Sequence, residues 1–133
     1  MVRTHRNTER ALAEIHERIA RFGELEPDWD SYGAKRISPT AMAKAQDVLQ
    51  AVGKRPAAAI GDDVLGVRVA PLPNGGVLLE WHGPAADLEV EVTPTGALEL
   101  LLEERIDGAY ETSERAGVDV GEIAALLDRV LAA

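Results

Sequence analysis

The chain contains no cysteine, which excludes disulfide scaffolds, Cys-ligated zinc, thiol catalysis and iron–sulfur chemistry together. Aromatics are scarce: two Trp, two Tyr and one Phe. No run of about 18 apolar residues occurs, so no membrane span is expected. The N-terminal stretch Met1-Val2-Arg3-Thr4-His5-Arg6-Asn7 lacks the apolar core of an export signal, and a cytoplasmic protein is expected. G-x-S-x-G, H-E-x-x-H, Walker A and dinucleotide-binding glycine patterns are all missing. The three Ser stand in no triad order with the three His. His5, His16 and His82 lack metal-ligand spacing, and there is no D-x-[DN]-x-[DN]-G calcium loop. These gaps predict no cofactor and no metal, and favour a binding protein over an enzyme. A site built only from carboxylates would leave no local motif.

Positive charge is also in short supply. Lys and Arg number 14 against 23 Asp and Glu, a formal charge of −9. That balance argues against direct nucleic-acid binding, which needs a cationic face. The imbalance is uneven. Residues 1–56 carry 10 basic and 8 acidic side chains, residues 57–133 carry 4 and 15, and no lysine follows Lys54. Eleven Arg against three Lys, with 21 Ala, matches GC-rich coding and a bacterial or phage source. A length of 133 residues with 46% apolar side chains predicts one globular domain with a core of its own.

Periodicity supplies the elements. Leu12, Ile15, Ile19 and Phe22 form one apolar stripe, predicting a helix over Thr8–Phe22 that is capped by Asn7 and stopped by Gly23. Residues 1–6 are expected as a disordered arm. Ser38-Pro39 reads as an N-cap followed by proline at the first helical position. The helix it opens buries Ala41, Met42, Ala45, Val48, Leu49 and Val52, and ends at Gly53. From Val64 the period changes to two. Strands are expected at Val64–Ala70, Gly76–Trp81, Asp87–Thr93 and Ala97–Glu104, with a weaker fifth at Ala109–Thr112. Pro73-Asn74-Gly75-Gly76 and Thr93-Pro94-Thr95-Gly96 supply turns. Asp119 with Glu122 reads as a capping box before a final helix, Val120–Leu131. The expected fold is α+β: two N-terminal helices, a four- to five-stranded antiparallel meander, and a C-terminal helix on one sheet face.

Four groups of residues could carry function. Asp28-Trp29-Asp30-Ser31-Tyr32-Gly33-Ala34 places two of the five aromatics in one polar loop. Trp29 and Tyr32 are candidate anchors for a partner, although Trp29 could equally plug the core while Asp30 caps a local turn. Alternation from Val77 to His82 sends Val77, Leu79 and Trp81 inward and points Glu80 and His82 outward together, a carboxylate beside an imidazole. In a simple meander Glu80, Glu89, Glu91, Glu99 and Glu103 share the outer face. Between residues 80 and 114 there are ten acids and one base, Arg105. Such a face is either a solvated, solubilising surface or a dock for a basic protein. Arg3, His5, Arg6 and Arg10 form a short basic cluster at the N-terminus.

Three of these stretches resemble a family of small bacterial and phage proteins. Its members share a W-D-G-Y-G-A-type loop, a helix opening on a Ser-Pro-like cap, and a G-G-x-x-L-E-W strand. The counterparts here are Trp29 to Ala34, Ser38-Pro39 and Gly75 to Trp81, within residues 25–93. The resemblance implies kinship and brings no chemistry or site residues with it. Ser31 stands where the family loop has Gly, which implies that the position does not need a glycine-only conformation.

These features together predict a small acidic interaction module, of inhibitor, antitoxin-like, immunity-like or adaptor type. It would dock a basic protein through the Glu face, with Trp29, Asp30, Tyr32, Glu80, His82, Glu89, Glu91 and Glu99 as binding residues. A small enzyme or ligand-binding domain would instead hold a carboxylate-lined pocket between the Trp29 loop and the sheet, using Asp28, Asp30, Glu80 and His82. A self-associating structural protein would pair the basic half of one copy with the acidic half of another.

Overall fold

The computed structural model describes residues 2–54 and 66–130, with side chains from residue 10 onward. The side chains of Arg3, His5 and Arg6 lie outside the described residues, as do Val64, Leu65 and Leu131. The described elements are α1 (Val2–Arg21), α2 (Pro39–Gly53), β1 (Val67–Pro71), β2 (Val77–His82), β3 (Ala86–Val92), β4 (Leu98–Ile106), β5 (Ala109–Ala116) and α3 (Val120–Val130). A short 3₁₀ turn, Phe22–Glu24, follows α1.

The expected α+β architecture is present. Five strands form one antiparallel sheet in sequence order, and the helices cover one face. Among them α2 is central: it contacts α1 and α3 and packs on β2 and β3, while α1 reaches β1 and α3 reaches β3. The layer is cemented by one apolar cluster. Ile19, Val48, Leu49, Ile123 and Leu127 from the helices meet Leu79, Trp81, Leu88, Val90 and Leu98 from the sheet, all 1% exposed or less. A large buried side chain of this kind contributes roughly 1.5–3 kcal/mol, so the cluster dominates stability. Trp81 is fully buried among these groups, and its indole N–H finds no acceptor among the described residues.

Local chemistry sets the ends of most elements. The Ser38 hydroxyl accepts from the Ala41 N–H (3.2 Å) and donates to the Pro94 carbonyl (2.6 Å), so the cap of α2 also ties that helix to the β3–β4 turn. Asp119 and Glu122 make the reciprocal bonds of a capping box at α3, 2.8 and 3.5 Å long. Asp107 and Gly108, with φ of 50° and 79°, form the two-residue turn between β4 and β5, the twist that antiparallel hairpins favour. Gly83 sits against the end of α3, where an added Cβ would strike the Val130 carbonyl.

Two elements run four or more residues past expectation, while other ends shift by less, as where β1 starts at Val67 and β4 ends at Ile106. Helix α1 starts at Val2, not Thr8, so Asn7 lies inside it and not at its cap. Nothing between Val2 and Arg21 is Pro or Gly, and a helix without a breaker extends as far as its residues tolerate. Strand β5 runs four residues past Thr112, to Ala116. All eight of its residues are exposed, so neither face imposes the apolar alternation by which strands are recognised.

Candidate functional site

Strand pairing arranges the outer, helix-free face in cross-strand rows. One row reads Arg68, Glu80, Glu89, Leu101, Glu114; the next reads Ala70, Leu78, Glu91, Glu99, Ala116; the third reads His82, Asp87, Glu103, Thr112. The period of two that buries Leu88, Val90 and Leu100 on the helix side forces their neighbours Asp87, Glu89, Glu91 and Glu99 onto this side. The three rows hold seven carboxylates and one arginine, with Arg105 next along β4. Glu80–Glu89, Glu91–Glu99 and Asp87–Glu103 are directly opposed like charges. Each such pair costs a few tenths of a kcal/mol in water. Glu91 and Glu99 are exposed and Glu89 is half-buried.

Glu80 departs from the expectation of a water-bathed face. Its side chain is only 14% exposed. It occupies the middle of the sheet, with Arg68 and Glu89 on the adjoining strands and Leu78 and His82 along its own.

An open depression of about 540 Å³ lies on this face, lined by Glu89, Glu91, Glu99, Leu101 and Glu114 among others. Three carboxylates expected to act together are thus brought together. Glu114, from the longer β5, joins them. The sequence signal for Glu114 was its place among the acids of residues 80–114, but its strand was expected to end before it.

A second cluster closes one end of the face. His82 Nδ1 lies 3.1 Å from Asp87 Oδ1, and its Nε2 lies 3.6 Å from Glu80 Oε2. Arg105 donates from Nη1 to Asp87 Oδ2 (2.9 Å) and from Nη2 to the Gly83 carbonyl (2.5 Å). The Arg105 hydrogen bond is the main reason the Asp87 carboxyl is held below its ordinary range; His82 adds to it, against opposition from burial. Asp87 in turn raises the Arg105 pKa. Asp87 and Arg105 were not among the expected site residues. They lie 18 positions apart and meet only through the β3–β4 pairing; the one hint was that Arg105 is the lone base among ten acids. Chemically the cluster is a structural clamp, holding the β2–β3 turn to β4.

The Trp29 loop lies elsewhere. It joins α1 to α2 and is tied to the β1–β2 turn by Lys35 N–H donating to the Pro73 carbonyl and Ser38 N–H donating to the Gly75 carbonyl, both at 2.8 Å. Trp29 packs against the core, and its indole N–H donates to the Lys35 carbonyl (2.9 Å). Its apolar body and its polar edge are both engaged inside the molecule, as a loop anchor requires. Asp30 Oδ1 accepts from Tyr32 N–H (2.9 Å) and Ala34 N–H (3.0 Å), and Asp28 Oδ1 accepts from Gly33 N–H (2.6 Å). Both carboxylates are therefore committed to shaping the loop. Tyr32 is the loop aromatic presented to solvent, 92% exposed. Seven residues of strand, roughly 23 Å, separate the Gly75 end of the sheet from His82. Asp28 and Asp30 are thus not brought together with Glu80 and His82, and the carboxylate pocket that a ligand-binding reading needs is not assembled between them.

Ser31 has φ of 66°, in the left-handed region that favours glycine. A serine adopts this conformation, so the position is not confined to glycine, although it lies where glycine is favoured.

Among the described residues no three His, Asp or Glu converge as a metal site requires, and no helix is long and apolar enough to cross a membrane. No protein family, curated protein or solved structure matches the chain.

Proposed function

We propose that the chain is a protein-interaction module of the inhibitor, immunity-like or adaptor kind, which docks a basic partner through the helix-free face of its sheet. The observation that carries this reading is the depression lined by Glu89, Glu91, Glu99 and Glu114 with Leu101, where Arg115 is the one cationic residue of the lining. Opposed glutamates repel one another, and a sequence selected for stability alone would interleave lysines on such a face. A cationic side chain entering between the glutamates replaces repulsion with attraction, while Leu101 offers apolar contact to its stem. The long-range field of a chain with a net charge of −9 steers such a partner in and disfavours acidic ones. Tyr32 does not line this depression and is left outside the proposed contact.

The test is affinity capture from lysate alongside titration with a lysine-rich peptide, comparing the wild-type chain with the Glu89→Lys, Glu91→Lys, Glu99→Lys triple variant. The wild type should retain a salt-sensitive set of basic proteins and bind the peptide at least about tenfold more tightly than the variant. An unchanged set of bound proteins, with equal peptide affinity, would remove the acidic face from any role in recognition.

A further inference from the structure

Among the described residues, strand β5 ends the sheet with an unpaired edge. Sheets commonly protect such an edge with proline, a bulge, brevity, charged side chains or a covering helix, and of these β5 carries charge, at Glu111, Glu114 and Arg115. At the opposite edge, β1 is five residues long, ends in Pro71 and has α1 packed on it. Strand β5 is eight residues long, contains no proline, and is exposed along its whole length.

The hydrogen-bond parity of that edge can be worked out. Arg105 N–H donates to the Ala85 carbonyl and Thr93 N–H to the Ala97 carbonyl, so odd-numbered residues of β4 direct their backbone groups toward β3. Leu100, Leu102 and Glu104 then face β5, where they pair with Arg115, Ser113 and Glu111. The N–H and C=O groups of Tyr110, Thr112, Glu114 and Ala116 are left on the free edge.

We infer that two copies of this chain pair β5 to β5 antiparallel, about a two-fold axis through Ser113, to give a continuous ten-stranded sheet. This register follows from two conditions. Backbone parity demands that free-edge residues oppose one another, as Tyr110 with Ala116 and Thr112 with Glu114 of the second copy. Charge demands that like signs be kept apart. Centring on Ser113 meets both: it sets Glu111 opposite Arg115 of the other copy, twice. Those two contacts fall at non-hydrogen-bonded positions, where facing side chains approach most closely. Moving the axis to Thr112 or Glu114 preserves parity but loses both ion pairs. Among the described residues of one chain, the ion pair of Arg115 is a 3.7 Å contact to Glu122, so it can turn to a new partner. The two-fold keeps both helical layers on the same side and leaves both acidic faces open. The dimer therefore does not depend on the function proposed above.

Sedimentation velocity of the full chain from about 10 µM to 1 mM tests the proposal. Wild type should shift from the mass of one chain to that of two. Thr112→Pro removes an N–H that β4 does not use and should weaken the dimer at least about tenfold. Should that variant melt abnormally, the charge variants decide. Glu111→Arg and Arg115→Glu should each weaken association, and the double exchange should restore it to within about threefold of wild type, because the intrachain Glu122 contact is lost in both Arg115→Glu proteins. The Glu89→Lys, Glu91→Lys, Glu99→Lys variant should dimerise normally. A single-chain mass throughout, a dimer indifferent to Thr112→Pro in a folded protein, or a double exchange that fails to restore association would overturn it.

Discussion

Ser31 and Asp28 share nearly the same φ, 66° and 67°, yet only Ser31 should gain stability on substitution by glycine. Left-handed geometry costs an ordinary L-residue about 1–2 kcal/mol, and glycine escapes that cost while giving up some entropy in the unfolded chain. Ser31→Gly should therefore stabilise the protein by about 0.5–1 kcal/mol and raise Tm by about 2–4 °C. Asp28→Gly gains the same conformational relief but loses the carboxylate that holds the Gly33 N–H at 2.6 Å, and should be no more stable than wild type. Paired thermal melts check both. The same loop shows what residue-level reading can deliver. Trp29 as a loop anchor and Asp30 as a turn cap were legible in their side-chain chemistry. That Ser31 sits at positive φ was not, because serine gives no local signal for it; only a loop type with glycine at that place hinted at it.

Helices α1 and α2 meet across a contact between His16 and Gln50, whose Nε2 atoms are 3.1 Å apart. A glutamine Nε2 can only donate, so His16 Nε2 accepts and the ring is neutral. Burial pushes the His16 pKa below its ordinary 6.5. The unfolded chain then binds the proton more readily than the folded one, so stability should fall as the pH drops from 6.5 toward the folded-state pKa and level off below it. Urea unfolding at pH 7.5 and about pH 5.5 should show this fall in wild type and a smaller one in His16→Leu; the other histidines are common to both proteins. An equal pH dependence in the two would mean that the α1–α2 contact does not sense the proton. Elements with a buried face were the legible ones. Trp81, Leu88 and Val90 announced their strands by alternation, and Ser38-Pro39 and Asp119 with Glu122 announced their helix starts by capping chemistry. The second half of β5 escaped because Ser113 to Ala116 bury nothing. The start of α1 was misplaced because Asn7 is as good a cap as it is a tolerated helical residue. The Asp87–Arg105 clamp needed the β3–β4 register before it could be seen.

At the scale of the whole molecule the charge distribution sets two electrostatic effects against each other. Attractive pairs such as Arg21–Glu17, Arg36–Glu26 and Arg129–Glu104 lie at contact, 2.8–2.9 Å, but the first two are exposed and the third half-exposed, and each contributes little. Repulsion among the seven carboxylates of the outer face acts over one to three strand spacings, about 5–15 Å. Salt discriminates between these by distance. At about 10 mM ionic strength the screening length is about 30 Å and every pair on the face repels; near 0.5 M it falls to about 4–5 Å, shorter than most of those separations but longer than the contact pairs. Added salt should therefore remove more repulsion than attraction. Across that range Tm should rise by about 3 °C, the equivalent of about 1 kcal/mol from the three directly opposed acidic pairs. Glu91→Lys, which relieves the most exposed row in advance, should raise Tm at low salt and flatten the salt dependence. Differential scanning calorimetry in sodium chloride and in potassium chloride separates screening, which both salts share, from specific ion binding, which they do not. A Tm that falls with salt would mean that the ion pairs outweigh the acidic face. The face would then hold no unfavourable energy for a basic partner to relieve, and the proposed mode of docking would lose its physical basis.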